Sequence, residues 1–500
     1  MKISARILDL LLAACFLFAS CDSAPGTTSE STGNATAAVT GTVEETVPES
    51  TEEGSFEPLT DLNMNGEEFV IIVPPSAAGA WNQHMDFDAP ELNEDPVNDA
   101  NYERISKLKE LYNVTIVNKV TSGKVIDDAR KCHNAGDNEY DAIHLGITEA
   151  PVLAQEGFLV DLNTLESMNL ENPWYNQSAV EQMSIGGKLF FILGDISTVD
   201  NDGIGCITFN KGMIEDGNLT SPYDLIKENR WTIDNFYELC KGYAYDLDGD
   251  GDMNIMDRWG YLTAYSSIFL QLNACGVRIV EKDEDDLPHL CINSSRTLEA
   301  IEKVLALYID KQTTFHVNEM KNIPGGVSGW QYGNNMFMEG RVMFREVSMY
   351  RAIQCREMEE DFGIIPYPKL DSEQENYAHS FSTATPVICI LSTADDPEVN
   401  GAVIEALSYY GRTIVRPAYY DRVLKGLVAR DEDSEFCLDL IFDTADYDLG
   451  LVLNLGNLIS VFSGYVNARQ STFASDYASL ETTMNSQIAD YVEAYENVLN

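Results

Sequence analysis

Basic residues are scarce in this chain: 32 Lys and Arg stand against 81 Asp and Glu, giving a formal net charge of -49 over 500 residues. Such a surface repels nucleic acid and anionic lipid, so neither is a direct partner, and it favours solubility. Histidine is rarer still. His84, His133, His144, His289, His316 and His379 show no metal-ligand spacing, and the cysteines include no C-x-x-C pair, so zinc and redox motifs have no support. A nucleophile elbow, a phosphate loop and an H-E-x-x-H signature are also missing, which removes the commonest routes to acyl and phosphoryl chemistry. Beyond Cys15 and Cys21, eight cysteines are scattered along the chain; Cys275 and Cys291 are the nearest pair for a disulfide, and buried free thiols are the alternative.

What is present begins with a compartment signal. Lys2 and Arg6 precede an apolar run from Ile7 to Phe18, interrupted by Asp9 and too short for a membrane-spanning helix. Phe18-Ala19-Ser20-Cys21 then resembles a lipoprotein signal-peptidase site, with Cys21 as the lipidated residue. Leu12-Ala13-Ala14-Cys15 fits that pattern by residue type but sits close to Arg6, and an ordinary cleaved signal peptide is a further alternative. From Asp22 to about Glu57 the chain is dense in Ser, Thr, Gly and Glu, a composition that cannot bury enough surface to fold. Residues 1–20 therefore read as a signal peptide and 21–58 as a tether, anchoring the protein to a membrane through its lipid.

The rest can build a large core: 44% of the chain is hydrophobic and 10% aromatic. Glu67 to Val73 reads as a strand, Asn101 to Tyr112 as a helix, Val114 to Val117 as a strand, Val125 to Cys132 as a helix and Tyr140 to Leu145 as a buried strand. This alternation predicts an α/β unit with a mainly parallel sheet. A second unit follows, with strands at Leu189 to Leu193 and Cys206 to Phe209 and helices near Leu225, Ile233 to Tyr243 and Leu298 to Asp310. Strands at Val342 to Phe344, Phe362 to Ile365 and Pro386 to Ile390 precede a helical C-terminal quarter.

A series of ordered patches runs through this framework. Tyr140-Asp141-Ala142-Ile143, Leu159-Val160-Asp161-Leu162, Pro173-Trp174-Tyr175-Asn176, Gly187-Lys188-Leu189-Phe190 and Trp231-Thr232-Ile233-Asp234 come first. Glu339-Gly340-Arg341-Val342-Met343-Phe344 and Phe362-Gly363-Ile364-Ile365-Pro366-Tyr367-Pro368-Lys369 follow. In this order the chain resembles the large extracellular solute-binding proteins of bacterial ABC importers, a group that includes many sugar-binding lipoproteins. The resemblance implies a two-lobed, periplasmic-binding-protein-like α/β fold (type II-like), with a hinge, an interlobe ligand cleft, and closure that signals occupancy to an importer permease. It places chain crossings near Gly187–Thr198 and Ser380–Ile390, giving lobes of 59–190 plus about 385–415 and 191–384 plus about 416–500. The ligand it implies is a polar solute, a carbohydrate first and a peptide second; an adhesin or sensor on the same fold, or a secreted glycoside hydrolase, are alternatives.

One motif stands apart. Asp246-Leu247-Asp248-Gly249-Asp250-Gly251-Asp252 opens a twelve-residue loop of EF-hand type, with Asp246, Asp248 and Asp250 at positions one, three and five and Gly251 at the sharp turn. Asp252 offers its backbone carbonyl at position seven, and Asp257 closes the loop where a longer Glu is usual. Calcium needs several hard oxygens at once, and alternate Asp side chains converge when the chain wraps round the ion. A solvated acidic turn is the alternative. Extracellular calcium fills even a weak site, so the expected role is structural.

A sugar cleft needs flat aromatic faces and groups that hydrogen-bond hydroxyls. Trp81 with Asn82 lies in the loop after the first strand, Glu149 just past the strand ending at Leu145, and Asp195 after Gly194. Trp330 and Tyr332 follow a Gly-rich segment, and Arg345 follows Val342-Met343-Phe344; for Arg345 a surface ion pair is the alternative. Trp174 and Trp231 read as core residues.

Overall fold

A computed structural model describes residues 54–75, 87, 89–383 and 385–498. Cys15, Cys21, the signal segment, Trp81 and Asn82 lie outside the described residues. The strands in chain order are β1 (Glu68–Val73), β2 (Thr115–Val120), β3 (Ala142–Gly146), β4 (Gly205–Asn210), β5 (Trp259–Thr263) and β6 (Val280–Lys282). They continue with β7 (Pro288–Leu290), β8 (Thr314–His316), β9 (Val342–Ser348), β10 (Phe362–Ile365) and β11 (Pro386–Cys389).

The first sheet has the order β11-β3-β1-β2, with β1 parallel to both β2 and β3 and only β11 antiparallel. Helices cover its faces, so β1 and β3 read as near-continuous apolar runs. Phe69, Ile71, Ile72 and Ile143 are fully buried. The helix Pro96–Tyr112 starts where Asp95 accepts hydrogen bonds from the Val97 and Asn98 N–H groups and stops at Asn113 in the left-handed region. Its buried stripe is Ala100, Arg104, Leu108 and Tyr112, four residues apart. Arg104 reaches beyond its own sheet and donates to the Ile196 carbonyl at 2.7 Å.

The second sheet has the order β10-β4-β9-β5-β8, antiparallel at β10-β4-β9 and parallel at β9-β5-β8. Strands β5 and β8 escape sequence reading because both are buried throughout and show no alternation. An aromatic cluster fills one face: Phe236 lies edge-on to Tyr261 at 5.1 Å and to Phe344 at 5.2 Å, and Trp231 sits 5.4 Å from Phe236. The Trp231 ring N–H donates to the Pro366 carbonyl at 2.8 Å, satisfying the one polar atom the ring buries.

Two chain segments connect the sheets, and they run side by side. Ile192 and Ile388 exchange backbone hydrogen bonds at 3.0 and 2.8 Å, and Ile204 bridges Phe381. Leu189 to Leu193, expected as a strand, forms only that isolated bridge: its apolar side chains are buried because the segment passes between sheets, not because it belongs to one. Close packing fixes this region. A Cβ on Gly411 lies 1.7 Å from the Asp195 carbonyl oxygen, and Gly194, at φ 149, sits under the Trp174 carbonyl.

One sequence reading is corrected, and one left open between two alternatives is decided. Phe56, placed by composition in the tether, stacks on Tyr409 at 4.3 Å and meets Trp174 edge-on at 6.4 Å. One aromatic ring with partners outweighs the polar composition around it. The described cysteines, Cys275 and Cys291 included, are all free thiols, and all but the half-buried Cys291 are buried.

Candidate functional site

The C-terminal ends of the parallel strands β5 and β9 open onto a cavity of about 480 Å³, the position at which α/β sheets commonly receive ligands. Its walls come from four sources. Ser266, Ser267, Phe269 and Leu270 follow β5; Glu346, Ser348 and Arg351 end β9 and begin the next helix; Gly203, Phe381, Ser382 and Thr383 belong to the paired connecting segments, and Gly205 opens β4. Ser328 and Trp330 stand at the start of the helix Gly329–Met338, and Leu451 and Ile459 close the floor. The lining thus combines aromatic and aliphatic faces with many hydroxyls.

Trp330 is the candidate the structure places here. Among the four described tryptophans it alone is exposed, at 36%, while Trp174, Trp231 and Trp259 are at 2%, 0% and 3%. Ser328 caps its helix by accepting the Gln331 N–H, which fixes the first turn on which Trp330 sits. Tyr332 is two residues on, about 200° round the helix axis, and therefore points the other way. It is 7% exposed, packed in the second core, with its ring 5.7 Å from Arg341.

Arg345 is corrected by the same kind of geometry. Successive strand residues face opposite sides, so Glu346 faces the cavity and Arg345 the core behind it. Arg345 is 1% exposed and donates from Nη2 to the Trp330 carbonyl at 2.9 Å; neither a cleft group nor a surface ion pair describes it. Glu346 accepts the Tyr367 hydroxyl at Oε1, 2.9 Å, and the Thr263 hydroxyl at Oε2, 3.0 Å. Burial raises its pKa above the ordinary carboxylate range.

Asp195 lies in a second, smaller cavity of about 210 Å³, with Asn176, Asp200, Arg412 and Arg416. Its Oδ2 pairs with Arg412 at 3.1 Å and Arg416 at 3.5 Å. Burial pushes the Asp195 pKa up, with the Arg416 charge opposing it. Glu149 lines neither cavity: it precedes the helix Ala150–Gln155, and its carboxylate folds back toward Gly146. Sequence reasoning missed Glu346, Arg351, Phe269 and Phe381. The signal for the first two was the C-terminal end of β9, carried one residue too early; for Phe269 it was β5, which went unread.

In the acidic loop, carboxylate oxygens of Asp246, Asp248 and Asp250 all lie within 4.8 Å of one another. Gly249 and Gly251, at φ 73 and 87, let the chain wrap. Asp257 does not join them. Fully buried, it accepts the Leu247 N–H at 2.9 Å and the Asn254 N–H at 2.7 Å, and so braces the loop from inside. Asp252 is exposed, and its carbonyl accepts the Asn254 amide at 2.8 Å. The three converging carboxylates suit a hard dication, and the loop runs directly into β5, where Trp259 stacks on Phe315 at 4.6 Å.

No protein-family model matches the sequence, and no curated protein matches it significantly. Solved structures do match. The chain is similar to an ABC substrate-binding protein from Listeria monocytogenes in complex with cycloalternan, at 12% identity and TM-score 0.52, over 86% of this chain and 99% of that one. It is similar to a cyclo/maltodextrin-binding protein complexed with maltotetraose, at 12% identity and TM-score 0.51, over 87% and 98%. A solute-binding protein from Thermotoga lettingae bound with alpha-D-tagatose matches at 13% identity and TM-score 0.50, over 86% and 100%. The fold is thus the two-lobed solute-binding fold, with mixed sheets flanked by helices. No described helix is long and apolar enough to cross a membrane.

Proposed function

We propose that the chain is the solute-binding component of a bacterial ABC importer, anchored outside the cell by a lipid on Cys21, and that it closes on a saccharide in the Trp330 cavity. The carrying observation is Trp330 itself: one exposed indole, at the rim of a hydroxyl-lined cavity, beside the paired segments that link the two sheets. An indole face stacks on the apolar face of a pyranose, and hydroxyls answer the ring's own. The saccharides in the similar structures support the reading. Among the described residues of the lining Glu346 is the one carboxylate, whereas glycoside hydrolysis ordinarily uses a pair. The test is a thermal-shift screen of mono- and oligosaccharides and peptides, because a ligand that binds only the folded protein raises its melting temperature. A response to peptides with silence across all sugars removes the carbohydrate; turnover of any sugar removes the binding-only role.

A second reading concerns the acidic loop. Convergence of Asp246, Asp248 and Asp250 supports a structural calcium ion that stiffens the entry to β5. Asp246→Ala then lowers the melting temperature more in calcium than in chelator, where it loses only the Gly249 and Gly251 N–H bonds; equal losses in both remove the ion.

A further inference from the structure

The side chains lining the Trp330 cavity fall into two chemical groups of different origin. Hydroxyls come from the strand ends and the returning segment: Ser266 and Ser267 after β5, Ser348 at the end of β9, and Ser382 and Thr383. Aliphatic side chains come from helices, Leu270 from Ile268–Ala274, Leu451 from Leu449–Val452 and Ile459 from Leu458–Ala468. The first and last of these helices pack on each other, with Phe269 edge-on to Phe462 at 5.1 Å, which holds the aliphatic wall in place. Leu270 and Ile459 are only half-buried, so the wall presents apolar surface to the cavity.

The charged groups of the lining make bonds within the protein. Glu346 accepts the Tyr367 and Thr263 hydroxyls and is bonded by Ser267 as well, and Arg351 donates from Nη1 to the Gln331 and Gln354 amides. Small hydroxyls supply most of the remaining polar surface, and the three helices of the aliphatic wall contribute no polar side chain to the described lining. A sugar ring stacked on Trp330 turns its edge substituents toward the walls. A ring hydroxyl buried against Leu270, Leu451 and Ile459 loses its water without gaining a side-chain partner, whereas a methyl group there leaves water at a gain.

We propose that the ligand is a saccharide carrying a methyl group, that of a deoxyhexose or of an acetamido substituent, which packs against Leu270, Leu451 and Ile459 while the ring stacks on Trp330. This rests on the saccharide reading above and adds the substituent. The two sources share one chemistry, a small apolar group on an otherwise polar ring. Leu270 and Ile459 are then the residues that set specificity, because one carbon more or less in a hydrophobic pocket changes affinity by roughly ten- to two-hundredfold.

The experiment is calorimetric titration of the full-length protein with matched pairs: fucose against galactose and rhamnose against mannose, each of the same hand, and N-acetylglucosamine against glucose. Each sugar is used free and as the terminal residue of a disaccharide. Within at least one pair the methyl-bearing sugar should bind roughly tenfold or more tightly, and the pair that responds distinguishes the deoxyhexose from the acetamido sugar. Ile459→Thr, which puts a hydroxyl into the wall with little change of size, should bring that ratio below about threefold, and Leu270→Thr should lower it in the same direction. Parent hexoses that bind as tightly as their methyl-bearing partners overturn the methyl inference and leave the saccharide reading standing. A wild-type ratio in both variants overturns the assignment to the aliphatic wall. Silence from every saccharide overturns the saccharide reading as well.

Discussion

The two cavities flanking the connecting segments differ in how their polar groups are satisfied. In the smaller one, Asp195 shares one oxygen between Arg412 and Arg416, so charge meets charge within the protein. The larger one mixes hydroxyls, an exposed indole and a buried guanidinium that donates to the Gln331 and Gln354 amides. The first arrangement stabilises the passage of the chain from one sheet to the other. The second presents hydroxyls and an exposed indole to the cavity, as the proposed saccharide site requires. Volume alone, about 480 against about 210 Å³, would not have separated these roles.

The sharpest break of this contrast is between tryptophans. Trp231→Ala empties the aromatic centre of the second sheet and should cost about 3–5 kcal/mol in urea unfolding. Trp330→Ala removes a half-exposed ring and should leave stability within about 1 kcal/mol, while saccharide affinity falls roughly a hundredfold by calorimetry. A ligand response that survives Trp330→Ala excludes the larger cavity as the site.

Acid should attack the connecting region next. His379 lies on the returning segment, where its Nε2 accepts the Tyr367 N–H at 3.2 Å and its Nδ1 pairs with the Thr444 hydroxyl at 2.7 Å. Burial holds its pKa at about 3, below the ordinary 6.5, so the unfolded chain takes up the proton first. That stability is whole above about pH 6.5 and is lost as pH falls toward 3. At pH 4.5 the loss should be roughly 2–3 kcal/mol. His379→Gln, whose amide can still accept the N–H, should flatten this limb of the pH–stability profile; an unaltered slope sinks the assignment.

Asp195→Ala comes third. It strands Arg412 and Arg416, whose side chains are 28% and 40% exposed, so water limits the cost to about 1–2 kcal/mol. Saccharide binding by the folded fraction should persist; a loss as large as that of Trp330→Ala would merge the two cavities into one site. Smallest is Tyr332→Phe, which removes a hydroxyl only 3.5 Å from Arg341 and should change stability by less than about 0.5 kcal/mol. A loss of saccharide affinity in this variant would mean that Tyr332 reaches the ligand after all.

Much of the first sheet was legible because its elements are local: apolar runs, capped helices and turn residues mark β1, β2 and β3, and β2 and β3 both pair with β1. The second sheet was only half legible. Its β5 and β8 are uniformly buried, and they pair only through contacts with residues far along the chain. Residues at the site failed by small angles. One position along β9 separates Arg345 from Glu346, and two along a helix separate Trp330 from Tyr332, yet each step reverses the direction of the side chain. The Asp loop was legible because its carboxylates lie two residues apart, and proximity in sequence is proximity in space.

The sequence by itself determined the α/β alternation, the acid-rich charge, the wrapped Asp loop and the choice of Trp330 as an exposed aromatic. These follow from residue type and short spacing, which local backbone geometry converts directly into shape. Only the tertiary structure decided that Glu346, Arg351, Phe269 and Phe381 share one cavity, and that Asp195 and Arg345 do not. Those placements depend on which face of a strand meets which segment returning from nearly two hundred residues away, and no local interaction carries that information.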